Sequence, residues 1–438
     1  MKGLLSVIQW GAFEKFVEEL MEKEQIPGVA VALSKNGQLI YERGFGSRDV
    51  AVNEPVTPET IFGVASITKS FTALAIMKLA EEGKLQVEDA VVKYLPELQF
   101  VDYANMEDIK IHHLLSHTTG LATMERKEHL TTFEAHIHYL NEKAWTWLGK
   151  PGEYICYNND TFLLLGAIIE QVTSESYQDY IKNIIIDPLQ MRRTTYSLLD
   201  LQQFANVTQP YVLENGEPSV CPWPTLGNYA VGGGIRSTVS DLLKYGNVYV
   251  DKLEKNVVKE PYRTQMAQAV HQTHGSSFYG YALQMTPDYA GVTLVEHGGG
   301  QPGVSSNFGF IPEEGIVAVV LTNLSGVSAD AIWLAAVNTA LGLPVGQKKS
   351  THSHFDMTQE QMERFVGTYV SDEDADIDIT IVDQTMMATI DDTSYILRVS
   401  GEQTLVIASL DKPIRFFFDE HNNAWALFIG LRMLVRSE

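Results

Sequence analysis

Ser66 and Lys69 are the residues of this chain whose types and spacing most clearly permit catalysis. They stand three positions apart at the start of an apolar run that is typical of a helix. Side chains at positions i and i+3 lie on one face of an α-helix, so the lysine amine is expected beside the serine hydroxyl. Serine is a weak nucleophile near neutral pH, and an adjacent base activates it. Because a single S-x-x-K pattern often arises by chance, its meaning depends on the residues that accompany it.

Tyr157 and Asn159 form a second group, in the segment Y-N-N at residues 157–159. A tyrosine phenol can exchange protons with a nucleophile or a leaving group if a nearby cation lowers its pKa. The Asn159 amide could hydrogen-bond a substrate amide. Taken alone, Tyr157 fits a packed aromatic side chain better than a catalytic one.

His297 and the three glycines that follow it form a third group. The pattern predicts a strand that ends in Gly298, Gly299 and Gly300. Without a Cβ, their backbone N–H groups are open to close approach by a ligand and could form half of an oxyanion hole. A simple glycine turn is the alternative. Residues 298–303 also match G-x-G-x-x-G, but a strand pattern follows instead of a helix, which argues against a dinucleotide site.

His113 and His117 have the i, i+4 spacing of zinc ligands on a helix. No glutamate follows the first histidine and no third ligand is evident, so the sequence does not predict a metal site. We expect His117 to hydrogen-bond within a turn. No cofactor is predicted.

Helices and strands alternate over most of the chain. A helix over residues 66–82 is apolar nearly all round, which is typical of a buried helix, and Gly83 would cap it. Strands predicted near both chain ends, with helices between them, indicate an α/β layer whose sheet mixes the two ends. Other predicted helices are 13–23, 112–116, 160–173, 237–249 and 328–341, and predicted strands are 29–33, 39–41, 293–297, 306–311 and 316–323.

The pattern changes after Pro344. A polar segment at 347–354 resembles a linker, and a short helix is predicted near 358–365. Short strands then follow at hairpin spacing, which predicts a small antiparallel barrel or sandwich. We therefore predict two domains, residues 1–345 and 346–438. The predicted C-terminal strands are 377–381, 385–390, 394–399, 404–409, 414–418, 424–429 and 432–435.

Composition narrows the classes of partner and location. The formal net charge of -23 over 438 residues makes nucleic acid and anionic membranes unfavourable partners. No apolar run approaches the length of a membrane span, and the first residues lack the features of a signal peptide. Cys156 and Cys221 are the only cysteines, too few for a disulfide framework or a structural zinc site. A cytoplasmic protein is predicted.

The three groups, in this order, resemble the motifs of the serine β-lactamase and penicillin-binding-protein-like hydrolases, especially the class C and CubicO-type group. Residues 66–69 resemble the first motif, 157–159 the Y-x-N motif and 297–299 the third motif, which reads K-T-G in true lactamases. The resemblance covers roughly residues 13–345, and no G-x-S-x-G elbow of an α/β-hydrolase occurs. It implies an α/β (α+β) β-lactamase/transpeptidase-like domain with a mixed helical region. The C-terminal barrel resembles the lipocalin-like domain of some CubicO-type peptidases.

The resemblance also implies roles for the residues. Ser66 would attack a carbonyl and become acylated, while Lys69 and Tyr157 would move its proton, with the division of labour between them left open. Asn159 would hold the substrate amide. The N–H groups of Ser66 and Gly300 would form the oxyanion hole, beside Gly299. His297 stands where lactamases carry a lysine, and a neutral imidazole holds a substrate carboxylate less firmly than a permanent cation does.

The sequence therefore predicts a serine hydrolase that acts through an acyl-enzyme on small amides, peptides (including D-amino-acid compounds) or esters. Its expected partner is a small-molecule or short-peptide substrate, and a homo-oligomer remains open. Three alternatives stand beside this prediction. One is a true β-lactamase or D,D-peptidase, and another is a non-catalytic penicillin-binding sensor. In the third, the barrel binds a ligand in an extended apolar cavity and carries the main function.

Overall fold

The computed structural model describes residues 8–250, 257–350 and 352–437. The chain divides into two compact units. The first unit comprises Met1–Val87, Leu165–Ala269 and Tyr279–Lys349, and the second comprises Glu88–Leu164, Val270–Phe278 and Ser350–Glu438. The domain boundary placed between residues 345 and 346 stays a prediction. No helix among the described residues is long and apolar enough to cross a membrane.

The first unit contains most of the helices and a large antiparallel sheet. Its elements before residue 200 are α1 Gly11–Glu24, β1 Gly28–Lys35, β2 Gln38–Asp49, β3 Glu54–Pro55, β4 Phe62–Gly63, α2 Thr68–Glu81, α6 Leu164–Thr173 and α7 Tyr177–Ile181. Its middle elements are α8 Leu198–Leu201, β5 Tyr211–Glu214, β6 Glu217–Val220, α9 Ala230–Gly233, β7 Arg236–Ser237, α10 Val239–Val250 and α11 Tyr262–Met266. The last are β10 Gln284–Tyr289, β11 Val292–Gln301, β12 Val304–Ile311, β13 Ile316–Thr322 and α12 Ala329–Leu341.

Seven strands of the first unit lie in the order β3-β2-β1-β13-β12-β11-β10. The first and last parts of the chain meet where β1 pairs with β13, from Val29↔Thr322 to Lys35↔Ile316. The prediction of a sheet that mixes the two chain ends is therefore confirmed. All seven residues of β13 are buried, as expected for a strand covered on both faces.

Helices α10 and α12 both pack on β13. A Cβ at Gly246 of α10 would lie 2.2 Å from the Val317 side chain, so only glycine permits this approach. The Trp333 indole of α12 donates a hydrogen bond to the Ala318 carbonyl at 3.0 Å. These contacts fix the centre of the sheet. The next strand is β12, and it pairs with β11, which carries the glycine segment of the candidate site.

The second unit contains short helices and the C-terminal barrel. Its elements before the barrel are α3 Ile111–Leu115, α4 Phe133–Asn141, α5 Asn159–Phe162, β8 His271–Gln272 and α13 Gln359–Glu363. In β9 Phe278–Tyr279, the first residue belongs to the second unit and the second residue to the first unit. Eight antiparallel strands close the barrel in chain order: β14 Gly367–Val370, β15 Ile377–Val382, β16 Thr385–Ile390, β17 Thr393–Gly401, β18 Thr404–Ile407, β19 Lys412–Phe418, β20 Ala424–Ile429 and β21 Arg432–Arg436. The predicted barrel is confirmed, and the sandwich alternative is wrong.

Several local predictions need adjustment. The helix predicted from Ser66 begins as an α-helix at Thr68, after a 3₁₀ turn at Ala65–Ile67. The helix predicted over 160–173 is divided into α5 and α6. The three glycines after His297 lie inside β11 and do not end it, because Gly298↔Asn307, Gly299↔Ser306 and Gly300↔Ser305 pair with β12.

Candidate active site

The Ser66 hydroxyl and the Lys69 amine lie together at the beginning of α2. Ser66 lies in the 3₁₀ turn and Lys69 in the first turn of the helix, which places Lys69 Nζ 3.3 Å from Ser66 Oγ. Lys69 is 1% exposed, whereas Ser66 is half-buried. Ser66 is therefore partly exposed while its basic neighbour is shielded, an arrangement suited to proton transfer from the hydroxyl.

The Lys69 amine is held from its other side by α9. Nζ donates a hydrogen bond to the Gly232 carbonyl at 3.1 Å. A Cβ at Gly232 would lie 2.7 Å from the same Nζ. Gly232 thus accepts a hydrogen bond from Lys69, and its lack of a Cβ leaves the space that the Lys69 side chain needs.

The backbone before Ser66 has an unusual conformation. Ala65 has φ +46°, in the left-handed region that residues with a Cβ rarely adopt. Two contacts hold this loop in place: Ser306 Oγ of β12 donates to the Val64 carbonyl at 2.8 Å, and the Val64 N–H donates to the Ile235 carbonyl at 3.0 Å. Such conformations persist where the surrounding structure over-determines them, and they cluster at functional sites.

The glycine segment of β11 packs against the same turn. A Cβ at Gly299 would lie 3.0 Å from the Ser66 backbone nitrogen and 2.4 Å from the Val64 carbonyl oxygen. Strand β10 pairs with β11 from Tyr289↔Val292 to Gln284↔Glu296, so this pairing ends before the glycines. The structure therefore brings Gly299, with Gly300 next to it, close to the backbone N–H group of Ser66.

His297 lies buried in β11 as a neutral imidazole. Its Nδ1 is 2.6 Å from the Gly298 carbonyl oxygen, and because a carbonyl only accepts, Nδ1 carries the hydrogen. Its Nε2 then accepts a hydrogen bond from the Tyr279 hydroxyl at 3.0 Å. Burial, followed by the nearby Lys69 charge, lowers the pKa of His297 to about 3. At neutral pH the ring carries no charge and both nitrogens are engaged within the protein.

Tyr157 and Asn159 lie in the second unit. Tyr157 is buried, with its ring centroid 4.1 Å from that of His117. Asn159 begins α5, and its Nδ2 donates to Glu373 Oε1 at 2.8 Å. Asn158, between them, caps α5 by accepting a hydrogen bond from the Thr161 N–H at 2.9 Å.

The two histidines with metal-like spacing accept backbone hydrogen bonds. His113 Nδ1 accepts from the Lys110 N–H at 3.0 Å, and His117 Nδ1 accepts from the Asn158 N–H at 3.2 Å. His117 thus contacts the Y-x-N segment through its ring, and its backbone N–H also donates within its own turn, to the Leu114 carbonyl at 3.4 Å. Among residues 8–250, 257–350 and 352–437, no group of three or more potential ligands is placed to hold a metal ion.

Sequence reasoning missed four residues around these side chains. Tyr279 and Gly232 contact His297 and Lys69, and Glu373 and Arg432 contact the Y-x-N segment. Residues 232–238, G-G-G-I-R-S-T, resemble a segment of the same group of hydrolases, but the pattern assigns Gly232 no contact with Lys69. Tyr279, Glu373 and Arg432 have no local signal, because distant parts of the chain bring them to these positions.

Comparisons with known proteins show the family of this chain. A family model described as Beta-lactamase matches residues 13–341. Protein flp of Staphylococcus aureus strain NCTC 8325 is 29% identical over 325 residues, which cover 71% of this chain and 62% of that protein. Penicillin-binding protein 4* of Bacillus subtilis strain 168 is 28% identical over 313 residues, 66% of each protein. The chain thus spans 62% to 66% of the length of these two relatives.

A solved structure matches nearly the whole chain, including the barrel. It is described as the octameric penicillin-binding protein homologue from Pyrococcus abyssi. It has a TM-score of 0.73 and 28% sequence identity, and the match covers 97% of this chain and 99% of that one. The likeness therefore extends past residue 341, where the family model ends, into the barrel.

Proposed function

This chain belongs to the beta-lactamase family, and we propose that it is a serine hydrolase that forms an acyl-enzyme on Ser66. Relatives of this family support a hydrolase with a serine-hydrolase-type fold. The observation that carries the proposal is the distance of 3.3 Å between the buried Lys69 amine and the Ser66 hydroxyl. This is the contact that an activated serine nucleophile requires.

In the proposed reaction, Ser66 Oγ attacks a substrate carbonyl carbon and loses its proton to the Lys69 side chain in its neutral amine form. A C–O bond forms, and the carbonyl oxygen becomes an oxyanion that the N–H groups of Ser66 and Gly300 would stabilise. Collapse of this intermediate breaks the bond to the amine or alcohol, which leaves with the transferred proton. Water then attacks the acyl-enzyme and releases the acid and the free serine.

The roles proposed for Tyr157 and Asn159 depend on the family resemblance. Tyr157 would share proton transfer with Lys69, and Asn159 would hold the substrate amide. Their support is the order of the three motifs and the rigid setting of each side chain, with Tyr157 against the His117 ring and Asn159 on Glu373.

The proposed substrates are small amides, short peptides (including D-amino-acid compounds) and esters. The support is His297, which is neutral and buried at the position where lactamases carry a lysine. A substrate carboxylate would gain little from an uncharged ring. We therefore place β-lactams below simple amides and esters as substrates.

A substrate screen tests this proposal. p-Nitrophenyl esters, D- and L-aminoacyl amides and nitrocefin are compared with the intact chain and with Ser66→Ala. We expect an ester or an aminoacyl amide to be turned over faster than nitrocefin, and we expect Ser66→Ala to abolish all turnover. Unchanged turnover in Ser66→Ala would refute the mechanism. Stoichiometric labelling of Ser66 by a β-lactam without turnover would support the sensor alternative instead.

Two wider statements belong to the same proposal. A cytoplasmic location is supported by Cys156 and Cys221, which are free thiols. Assembly into a homo-oligomer is supported by the likeness to the Pyrococcus abyssi protein, whose structure is described as octameric. Light scattering on the purified chain tests the assembly, and a monomer at micromolar concentration would contradict it.

A further inference from the structure

The barrel contacts the Y-x-N segment within the second unit. The Tyr157 N–H donates to the Leu431 carbonyl at 2.7 Å, in the turn between β20 and β21. Arg432 Nη1 donates in return to the Tyr157 carbonyl at 2.7 Å, and its guanidinium lies 5.1 Å from the centroid of the Tyr157 ring. The backbone on both sides of the Tyr157 side chain is therefore fixed by one turn of the barrel.

Glu373 extends this contact to Asn159. Glu373 lies in the loop between β14 and β15, its side chain is 8% exposed, and its Oε1 accepts from Asn159 Nδ2 at 2.8 Å. An ionised carboxylate only accepts hydrogen bonds, so the nitrogen end of the Asn159 amide must face it. Glu373 thus determines which way the carboxamide points.

Two arginines hold Glu373 in the charged state. Arg432 forms an ion pair with Oε2, and Arg126 Nη1 lies 3.6 Å from Oε1. Burial alone would raise the pKa of Glu373, but the Arg432 charge and its hydrogen bond outweigh burial, and the pKa falls below its ordinary value. The carboxylate therefore stays an acceptor at neutral pH.

A purely structural role explains this arrangement less well. Buried ion pairs contribute little net stability, because desolvation opposes the attraction between the charges. A barrel attached only for stability would be served equally well by apolar side chains. Here the two charged side chains instead contact the residues of the Y-x-N motif that the proposed reaction uses. Arg432 contacts Tyr157, and Glu373 contacts Asn159.

We propose that Glu373, held by Arg432, is a positioning residue that orients the Asn159 carboxamide toward substrate, so that the C-terminal barrel is part of the catalytic machinery. This inference rests on the proposed function of Asn159. It gives the barrel a role in the reaction itself, separate from any gating or assembly.

A double-mutant cycle tests the proposal in the full chain. Glu373→Gln should lower kcat/KM for the best substrate of the screen by roughly 10- to 100-fold, as expected when a substrate-holding group is misplaced. In an Asn159→Ala background the same substitution should cost at most about threefold, since the group through which it acts is gone. Equal fold-losses in the two backgrounds would overturn the proposal.

The matched control is Asp378→Asn, which removes one carboxylate charge elsewhere in the barrel. Asp378 lies on β15 and accepts a hydrogen bond from Thr368 at 2.6 Å, without contact to the Y-x-N segment. It should leave kcat/KM within about twofold of the unsubstituted chain. A loss equal to that of Glu373→Gln would make the effect one of barrel charge and overturn the proposal. If Glu373→Gln fails to fold, Glu373→Asp keeps the charge beside Arg432 but withdraws the oxygen from Asn159, and it must show the same loss.

A measurement without substrate separates this inference from the proposed function. The Tm losses of Asn159→Ala and Glu373→Gln should sum to more than the loss of the double variant, because each removes the same charge-assisted contact between the two side chains. Additive losses would show that the contact is absent and overturn the inference alone. Absence of Ser66-dependent turnover in the unsubstituted chain would instead overturn the proposed function, whatever the Tm cycle shows.

Discussion

At the scale of single residues, the proposed activation of Ser66 depends on the position of Lys69. Burying an amine is costly unless it has polar partners. The partners of Lys69 include the Ser66 hydroxyl in the preceding 3₁₀ turn and the Gly232 carbonyl on α9. Because a buried lysine at this place serves no packing need that an apolar side chain would not meet better, its presence supports a chemical role.

Gly232→Ala tests how closely Lys69 must be held. The added Cβ would lie 2.7 Å from Nζ, so the amine must move away from Ser66. We expect kcat/KM to fall by about 100-fold, the scale associated with misplacement by about 1 Å. Gly346→Ala is the matched control, because a Cβ there meets nothing within 4 Å and the residue has no left-handed φ. Near-normal activity in Gly232→Ala would show that the amine needs no such placement.

At the scale of elements, the barrel is a packed structure. Phe365 and Tyr369 lie 4.9 and 5.6 Å from the ring of Phe416, centroid to centroid, in the core of the barrel. These rings fill space that a lipocalin-like ligand would need. The third alternative, a barrel whose extended apolar cavity carries the main function, is therefore not favoured.

Phe416→Ala should reveal this packing as stability. Phe416 is fully buried on β19, and its truncation should lower the free energy of unfolding by about 3–5 kcal/mol. Ile396 lies on β17 and is 59% exposed. Ile396→Ala should therefore change the free energy of unfolding by less than about 0.5 kcal/mol. Urea denaturation followed by fluorescence measures both values. A small effect of Phe416→Ala would indicate an interior loose enough to accept a ligand.

Several elements could be predicted from the sequence because they depend on local pattern. Seven of the eight barrel strands were predicted, since alternation and turn residues mark them. Strand β14 was missed: it has four residues, and its pairing of Tyr369 with Arg436 depends on closure by a distant strand. The glycines after His297 looked like a strand end, but pairing with β12 carries the strand through them.

The candidate site likewise contains contacts that the sequence predicts and contacts that depend on distant parts of the chain. The Ser66 and Lys69 spacing is a property of one helix, and the sequence alone predicted their proximity. Glu373 and Arg432 reach Asn159 and Tyr157 only through the closed barrel, which no local pattern encodes. The neutral state of His297 likewise depends on its burial and on Lys69 nearby, neither of which its own sequence neighbours determine.

At the scale of the whole molecule, buried histidines link stability to pH. Burial lowers the pKa of His113 to about 4, and burial, followed by the Lys69 charge, lowers that of His297 to about 3. Burial also lowers the pKa of His136 to about 4, because it outweighs the opposing effect of Asp160, whose Oδ1 lies 3.4 Å from His136 Nε2. In the unfolded chain each would bind a proton below about pH 6.5. Between pH 6.5 and 4 the unfolded state therefore binds more protons than the folded state, and stability falls as the pH falls.

This linkage predicts a loss of about 2 kcal/mol for each of these histidines between pH 7.5 and pH 5. Urea midpoints at the two pH values measure it. His136→Gln should reduce the difference between them, whereas His138→Gln, on a 76% exposed side chain, should leave it unchanged. An identical pH dependence in His136→Gln and the unsubstituted chain would contradict the burial of a neutral His136.

The activation of Ser66 by Lys69 is tested most directly with a fluorophosphonate, a reagent that labels activated serine nucleophiles. The measured quantity is the intact mass of the protein after the reaction. We expect a single adduct that peptide mapping places on Ser66, slow labelling in Lys69→Ala, and none in Ser66→Ala. Labelling of Ser66→Ala to the same extent, or an adduct mapped to another residue, would contradict the claim that Ser66 is a nucleophile activated by Lys69.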